Sequence, residues 1–205
     1  MTLNIGILLF DDAEELDFVG PWEVFTMSNE IFGLTVPDRE KDNVFFVAES
    51  KTIIRCAKGM RVETDYTFET CPKLDVLLIP GGQGTRREVE NKTVLQWIAA
   101  ASESAQWVTS VCTGSLLLTA AGPGKGKRVT THWGFIEQLR ERGEAKEVLE
   151  KIRYVRDGNV VTAAGVSAGI DMALWLTGQI HGVPHARHVQ NGMEYDPAPP
   201  YTAEV

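Results

Sequence analysis

Cys112 stands at the junction of two segments with opposite habits. Val108, Thr109, Ser110 and Val111 are mostly β-formers that predict a short buried strand. Residues 113–121 form a run of small and apolar side chains suited to a helix. A strand that turns sharply into a helix strains the corner residue and presents its side chain, provided the residues two positions either side are small. Ser110 and Gly114 meet that condition. A thiol at such a corner faces the unpaired N–H groups of a helix start, which favour thiolate and so nucleophilic attack. The competing reading is a core cysteine, since free Cys is among the most buried residue types.

The elements that must position this corner follow from periodicity. Residues 5–10 are a continuous apolar run, as expected of a strand buried on both faces of a parallel sheet, and Asp11 and Asp12 end it. Leu16, Val19, Val24 and Met27 recur at helical spacing over residues 14–27, with Pro21 predicted to break or kink that helix. Residues 31–42 read as a loop. Strands are predicted at 43–48 and 74–79, and a hairpin or sheet-edge excursion at 53–66. Residues 89–102 read as a helix, and 106–111 lead into the corner. After a Gly/Pro connector at 122–126 come a short strand (128–130) and an amphipathic helix (132–142). Asp157-Gly158 marks a hairpin within 152–162. A largely apolar helix covers 168–181, and Pro184 opens a last helix that residues 196–200 (DPAPP) stop. Alternating strands and helices predict an α/β domain with a mostly parallel sheet, one domain over 1–205.

In open α/β sheets, sites form beyond the carboxyl ends of the strands. Three loops qualify: 11–17, 81–84 and Cys112-Thr113. Asp17 lies between Leu16 and Phe18, beside Gly20-Pro21, where a carboxyl group in apolar surroundings titrates high and can hold a proton for transfer. Glu14 and Glu15 read instead as solvated acids at a helix start. Gly81-Gly82 offers backbone N–H donors for a developing anion, or simply a tight turn. His132 begins a helix near the sheet, either as a base or only as a helix-start residue. Residues 122–127 (GPGKGK) resemble a phosphate loop faintly but lack its spacing and its Ser/Thr. His181, His185 and His188 have a spacing that suits one helix face, yet Gly182 and Pro184 interrupt it, so they are expected not to converge on a metal. Cys56 and Cys71 read as ordinary core or surface thiols.

A net charge of −8 argues against a nucleic-acid surface, which is normally basic. Three scattered cysteines form no disulfide framework and suit a reducing compartment. Residues 4–10 are apolar but short, and they lack the basic flank of a signal peptide. No apolar run approaches the roughly 20 residues that span a bilayer. A cytoplasmic protein with neither membrane nor nucleic-acid partner is the expectation.

Taken together, several segments resemble the DJ-one/ThiJ/PfpI superfamily, with its class I glutamine amidotransferase-like fold, over nearly the whole chain. They are residues 5–10, Glu15-Leu16-Asp17 with Gly20-Pro21, Ile79-Pro80-Gly81-Gly82, and Thr109 to Ser115. Further matches are Thr130-Thr131-His132-Trp133, Val155 to Asn159, Ala168-Gly169-Ile170-Asp171, and Glu194 to Pro200. Within the superfamily the chain looks like the isonitrile (cyclohexyl-isocyanide) hydratase branch. Amidase-like domains of some transcription regulators share many of the same motifs. The resemblance implies a flavodoxin-like three-layer sandwich, a homodimer, a small-molecule substrate and no cofactor or metal. It implies Cys112 as nucleophile and Asp17 as its acidic neighbour. Thr113 fits the hydratase branch, because the protease branch carries His directly after the Cys.

The implied chemistry is attack of the Cys112 thiolate on the terminal carbon of R–N≡C while nitrogen takes a proton from Asp17. Water then adds to the thioimidate with Asp17 as base, and an N-substituted formamide leaves. Backbone N–H groups of Gly82 and Thr113 are the expected donors to the polar intermediate, and Gly81, His132, Gly165 and Val166 are the expected pocket. Three other functions use the same residues. A glyoxalase or deglycase would turn the Cys and acid on α-dicarbonyls. A redox sensor or chaperone would oxidise Cys112 to a sulfinate held by Asp17. A regulator would need a DNA-binding domain, and the sequence runs to Val205, immediately after the expected end of this domain.

Overall fold

In the computed structural model, which describes residues 2–50 and 53–197, the buried run at the start forms β1 (Asn4–Leu8) and leads into the long helix α1 (Glu15–Thr35). The chain returns as β2 (Asn43–Ala48), then makes a small antiparallel hairpin, β3 (Ile53–Arg55) and β4 (Arg61–Glu63). β5 (Tyr66–Thr67) and β6 (Val76–Ile79) follow, then the single turn α2 (Thr85–Glu88) and α3 (Lys92–Ser104). β7 (Trp107–Val111) feeds α4 (Gly114–Ala121). Next come β8 (Arg128–Val129), a short 3₁₀ turn at Trp133–Phe135, α5 (Ile136–Glu141) and β9 (Glu147–Val148). The hairpin β10 (Tyr154–Asp157) and β11 (Val160–Ala163) precedes α6 (Ala168–His181) and α7 (Val183–Gly192).

Seven strands form the central sheet in the order β10-β11-β7-β6-β1-β2-β5, every pair parallel except β10 with β11. The order reverses direction between β1 and β6. Right-handed crossovers therefore put α1, α6 and α7 on one face and α2, α3 and α4 on the other. The result is a flavodoxin-like α/β fold. Leu77, Leu78, Ile79, Val111 and Val161 are wholly buried in the sheet, which explains their unbroken apolar runs. A satellite core of Leu116, Val129, Ile136, Leu139 and Val148 holds β8, β9 and α5 against α4.

Several local expectations are corrected. Helix α1 runs unbroken through Pro21 and on to Thr35, so residues 31–35 are helix and not loop. Pro21 forgoes one backbone hydrogen bond. Its ring is buried, and it meets α6 at Gly169, where an added Cβ would lie 3.3 Å from Pro21 Cγ. Gly20 permits the same close approach: a Cβ there would sit 2.8 Å from Ile170 Cγ1. Helix α3 begins three residues later than expected because Asn91 caps it, accepting from the N–H groups of Thr93 and Val94. The strand expected at 128–130 joins β9 in a separate two-stranded sheet. The last helix ends at Gly192, ahead of the DPAPP segment, of which residues 198–200 lie outside the described residues.

Among the described residues, no helix is long and apolar enough to cross a membrane. His181 and His185 do approach each other, with ring centroids 5.6 Å apart, across the α6–α7 turn that was expected to separate them. His181 bonds Asp42 at 3.0 Å and His185 bonds Ser28 at 2.8 Å, which makes them packing histidines between α1, α6 and α7.

Candidate active site

Register brings the carboxyl ends of three strands to one place. Ile79 of β6 pairs with Ser110 of β7, and Val111 with Ala163 of β11. The loops beyond them carry Gly81-Gly82, Cys112 and Gly165-Val166 side by side. From β1 the loop holding Ala13 and Glu14 crosses over. An isolated bridge joins Ala13 to Gly82, and Glu14 N–H donates to Gly81 O at 3.0 Å.

Cys112 occupies the strand–helix corner with φ +55°, a left-handed conformation that a non-glycine residue adopts only when the surroundings enforce it. The enforcement is visible. Its N–H donates to both Ala163 O (3.1 Å) and Ala164 O (2.9 Å), and its carbonyl accepts from the Thr131 hydroxyl at 2.9 Å. Gly114 is obligatory, because a Cβ there would lie 2.2 Å from Ile79 O. Ser110 is wholly buried beneath the corner.

Asp17, near the start of α1, is likewise wholly buried, against the Cys112 thiol. Its Oδ2 accepts from Gly81 N–H at 2.9 Å, and its Oδ1 has no partner. Burial pushes the carboxyl up to about 7, and Glu14 adds to that rise. The Gly81 N–H, the Cys112 contact and Lys58 pull it back. The thiol is pushed up to about 12 by burial and then by the Asp17 carboxylate, against the N–H and hydroxyl of Thr113. The expected resting thiolate is therefore corrected. One helix start does not outweigh desolvation and an adjacent acid, so the proton stays on the pair until something displaces it.

A cavity of about 150 Å³ opens over the sulfur, walled by Glu14, Gly82, Gln83, Arg86, Cys112, Thr113, His132, Phe135 and Val166. Past His132 and Val166 lies a second hollow of about 390 Å³, which includes Gly165, Lys151 and the exposed Trp133. His132 accepts from Gly134 N–H on Nδ1 at 3.2 Å, which leaves the ring proton on Nε2. Burial and then the Arg86 charge hold its affinity for a second proton below 6.5. It thus both caps the 3₁₀ turn and lines the cavity, as a neutral donor. Gly165 makes room for it, since a Cβ there would meet His132 Cδ2 at 2.3 Å. Val166 also has positive φ, +48°.

Two expected roles change. Gly82 lines the cavity, but its N–H is engaged by Thr113 Oγ1 at 3.1 Å and is not a free donor. Gly81 is buried behind the site and not in its wall: a Cβ there would lie 2.6 Å from Thr113 N and 2.8 Å from Asp17 Oδ2. Glu14 and Glu15 are not solvated helix-start acids either. The tip of the β3–β4 hairpin docks on them, with Lys58 Nζ pairing with Glu14, and Lys58 N–H donating to Glu15 Oε1 at 2.6 Å. Arg86 and Phe135 were not anticipated. Nothing local in sequence marks them, because both enter the cavity from helices whose facing depends on tertiary packing.

The motifs outside the cavity brace it. Asp171 accepts from Arg153 (2.6 Å) and from the Tyr195 hydroxyl (2.8 Å), and Arg153 also donates to Ser167 (3.2 Å), next to Val166.

Residues 4–179 match the model of the DJ-1/PfpI family. An isonitrile hydratase from Pseudomonas putida is 41% identical over 201 residues, 98% of this chain and 82% of that protein. A ThiJ/PfpI family protein from Pseudomonas syringae has the same fold, with a TM-score of 0.87 and 32% identity over 100% of this chain and 80% of that one. The HTH-type transcriptional regulator CdhR of Pseudomonas aeruginosa is 31% identical over 63% of this chain, but the match spans only 38% of the regulator. With a family match over most of its length and a fold shared with a ThiJ/PfpI protein, this chain belongs to the DJ-1/PfpI family.

Proposed function

We propose that the chain is an isonitrile hydratase-like lyase that converts R–N≡C and water into an N-substituted formamide, with Cys112 as nucleophile and Asp17 as general acid and base. The observation that carries this reading is the pair itself. A thiol held at a strained corner rests against a carboxyl group whose affinity for protons lies near neutrality. Thr113, and not His, follows the Cys, and the 41% identity to a protein named isonitrile hydratase supports the substrate class. The reading also carries a small-molecule substrate, no cofactor and a homodimeric assembly.

Atom balance orders the steps. The Asp17 carboxylate accepts the thiol proton as sulfur bonds the terminal carbon of the isonitrile. That proton is delivered to the same carbon, not to nitrogen, giving Cys112–S–CH=N–R and regenerating the carboxylate. Water then adds at this carbon while one of its protons passes through Asp17 to the nitrogen, giving R–NH–CH(OH)–S–Cys112. Collapse forms the carbonyl, expels sulfur and returns the hydroxyl proton to the pair. The same carboxyl gives and takes a proton in turn, which is efficient when its pKa lies near the working pH. Thr113 N–H and the neutral His132 Nε2–H are the donors available to the polar intermediates.

The test is hydration of an aryl isonitrile, followed by formamide absorbance, in wild type, Cys112→Ala and Asp17→Asn. Loss of turnover by at least about 10³-fold in both variants is the expected result. Turnover surviving in Cys112→Ala refutes the covalent route. A wild type inert toward isonitriles but active on methylglyoxal replaces the reading with a glyoxalase.

A further inference from the structure

The Cys112 cavity contains one cation that the proposed chemistry leaves unused. Arg86 is fixed on two sides. Its Nη1 donates to Gly82 O at 2.6 Å, and its guanidinium lies over the Phe135 ring at 4.3 Å. Among the described residues it forms no ion pair, and its Nε and Nη2 donate to no protein group, so one edge of the fork is unbonded in a residue that lines a cavity of about 150 Å³.

No carboxylate among the described residues of the wall is bonded to it. Glu14, the carboxylate in the same wall, is already paired with Lys58. Asp17 holds a proton up to about pH 7, and the Cys112 thiol and the His132 ring are neutral there. Among the described residues Arg86 is thus the one cation in the cavity wall, in a chain whose total charge is −8. The contacts with Gly82 and Phe135 hold the guanidinium in place but use only one of its edges, which leaves the other to meet an anionic group of the substrate. A planar fork with two free N–H groups matches a carboxylate.

We infer that Arg86 is a specificity-determining residue of this site and that it selects substrates carrying a carboxylate close to the reacting carbon. The inference rests on Cys112 being the reactive thiol of the proposed function, and it narrows the substrate to an acidic isonitrile.

A pair of electrophiles tests it without requiring turnover. Alkylation of Cys112 by iodoacetate and by iodoacetamide is followed by mass spectrometry of the Cys112 peptide, with glutathione as the free-thiol reference. In wild type the iodoacetate-to-iodoacetamide rate ratio is expected to exceed that of glutathione by about tenfold, the factor carried by one charge-assisted hydrogen bond. Arg86→Met abolishes the excess, Arg86→Lys keeps part of it, and added salt shrinks it. A wild-type ratio at or below that of glutathione, or equal ratios in wild type and Arg86→Met, overturns the inference. A parallel comparison of kcat/KM for isocyanoacetate and cyclohexyl isonitrile separates the two levels. If neither isonitrile is hydrated while the alkylation preference holds, the hydratase reading fails and recognition of an acidic electrophile by Arg86 stands.

Discussion

Replacing Asp17 by Asn is expected to stabilise the protein at pH 8 and not at pH 4. The wild-type carboxyl is wholly buried, with one N–H donor on Oδ2 and none on Oδ1, and burial raises it from 3.8 to about 7. A carboxyl whose folded pKa lies above its unfolded value contributes fully below pH 3.8, and that contribution is lost as pH rises through about 7. Over that span the loss is on the order of 4 kcal/mol. Asparagine keeps the acceptor for Gly81 and never ionises, but its buried amide N–H₂ costs on the order of 1–2 kcal/mol where it finds no partner. The balance predicts a variant more stable by about 2–3 kcal/mol at pH 8 and less stable by about 1–2 kcal/mol at pH 4. Urea unfolding at pH 4, 6 and 8, followed by tryptophan fluorescence, measures it. A stability difference that does not change with pH would refute the reasoning, because it would mean that Asp17 ionises as easily in the folded protein as in the unfolded chain.

Two further outcomes follow from close contacts elsewhere. Gly165→Ala is expected to push the His132 ring aside, since the new Cβ would meet Cδ2 at 2.3 Å, and to lower kcat by about 10²-fold with little loss of thermal stability. Steady-state kinetics beside a melting curve checks both halves. His185, buried against Ser28 and stacked on Phe32, is pushed down to about 4 by burial and then by His181. Its protonation favours the unfolded chain, so stability falls as pH drops from 6.5 toward 4. In His185→Gln the wild-type advantage at pH 7 should narrow on acidification, measured as the difference in Tm at pH 7, 5.5 and 4.

β1 and β6 were legible because each is a buried apolar run with no polar alternation, and Asn43–Ala48 and Ala168–His181 have the ends their periodicity implies. The first helix was misjudged at Pro21, and beyond Met27, where Ile31 meets Gly192 and Phe32 stacks on His185 of α7, because packing decided both. Local propensity disfavours proline and glycine inside a helix, but packing of the Gly20-Pro21 face on Gly169 and Ile170 overrides it. Glu14 and Glu15 misled in the same way: at a helix start they read as solvent-facing, and only the docked hairpin tip reveals that they are held from outside.

Sequence alone determined the α/β class from the alternation of strands and helices, and the corner at Cys112 and the burial of Asp17 from their immediate neighbours. Tertiary structure decided everything that compares distant segments. It set the proton on the Cys112–Asp17 pair through burial, engaged the Gly82 N–H with Thr113, and moved Gly81 behind the site. It brought Glu14, Arg86, and His132 with Phe135 into one wall from three separate elements. Charge and access in a cavity are sums over neighbours that only folding brings together, so the cysteine at the strand–helix corner could be read from the chain while its electrostatic setting could not.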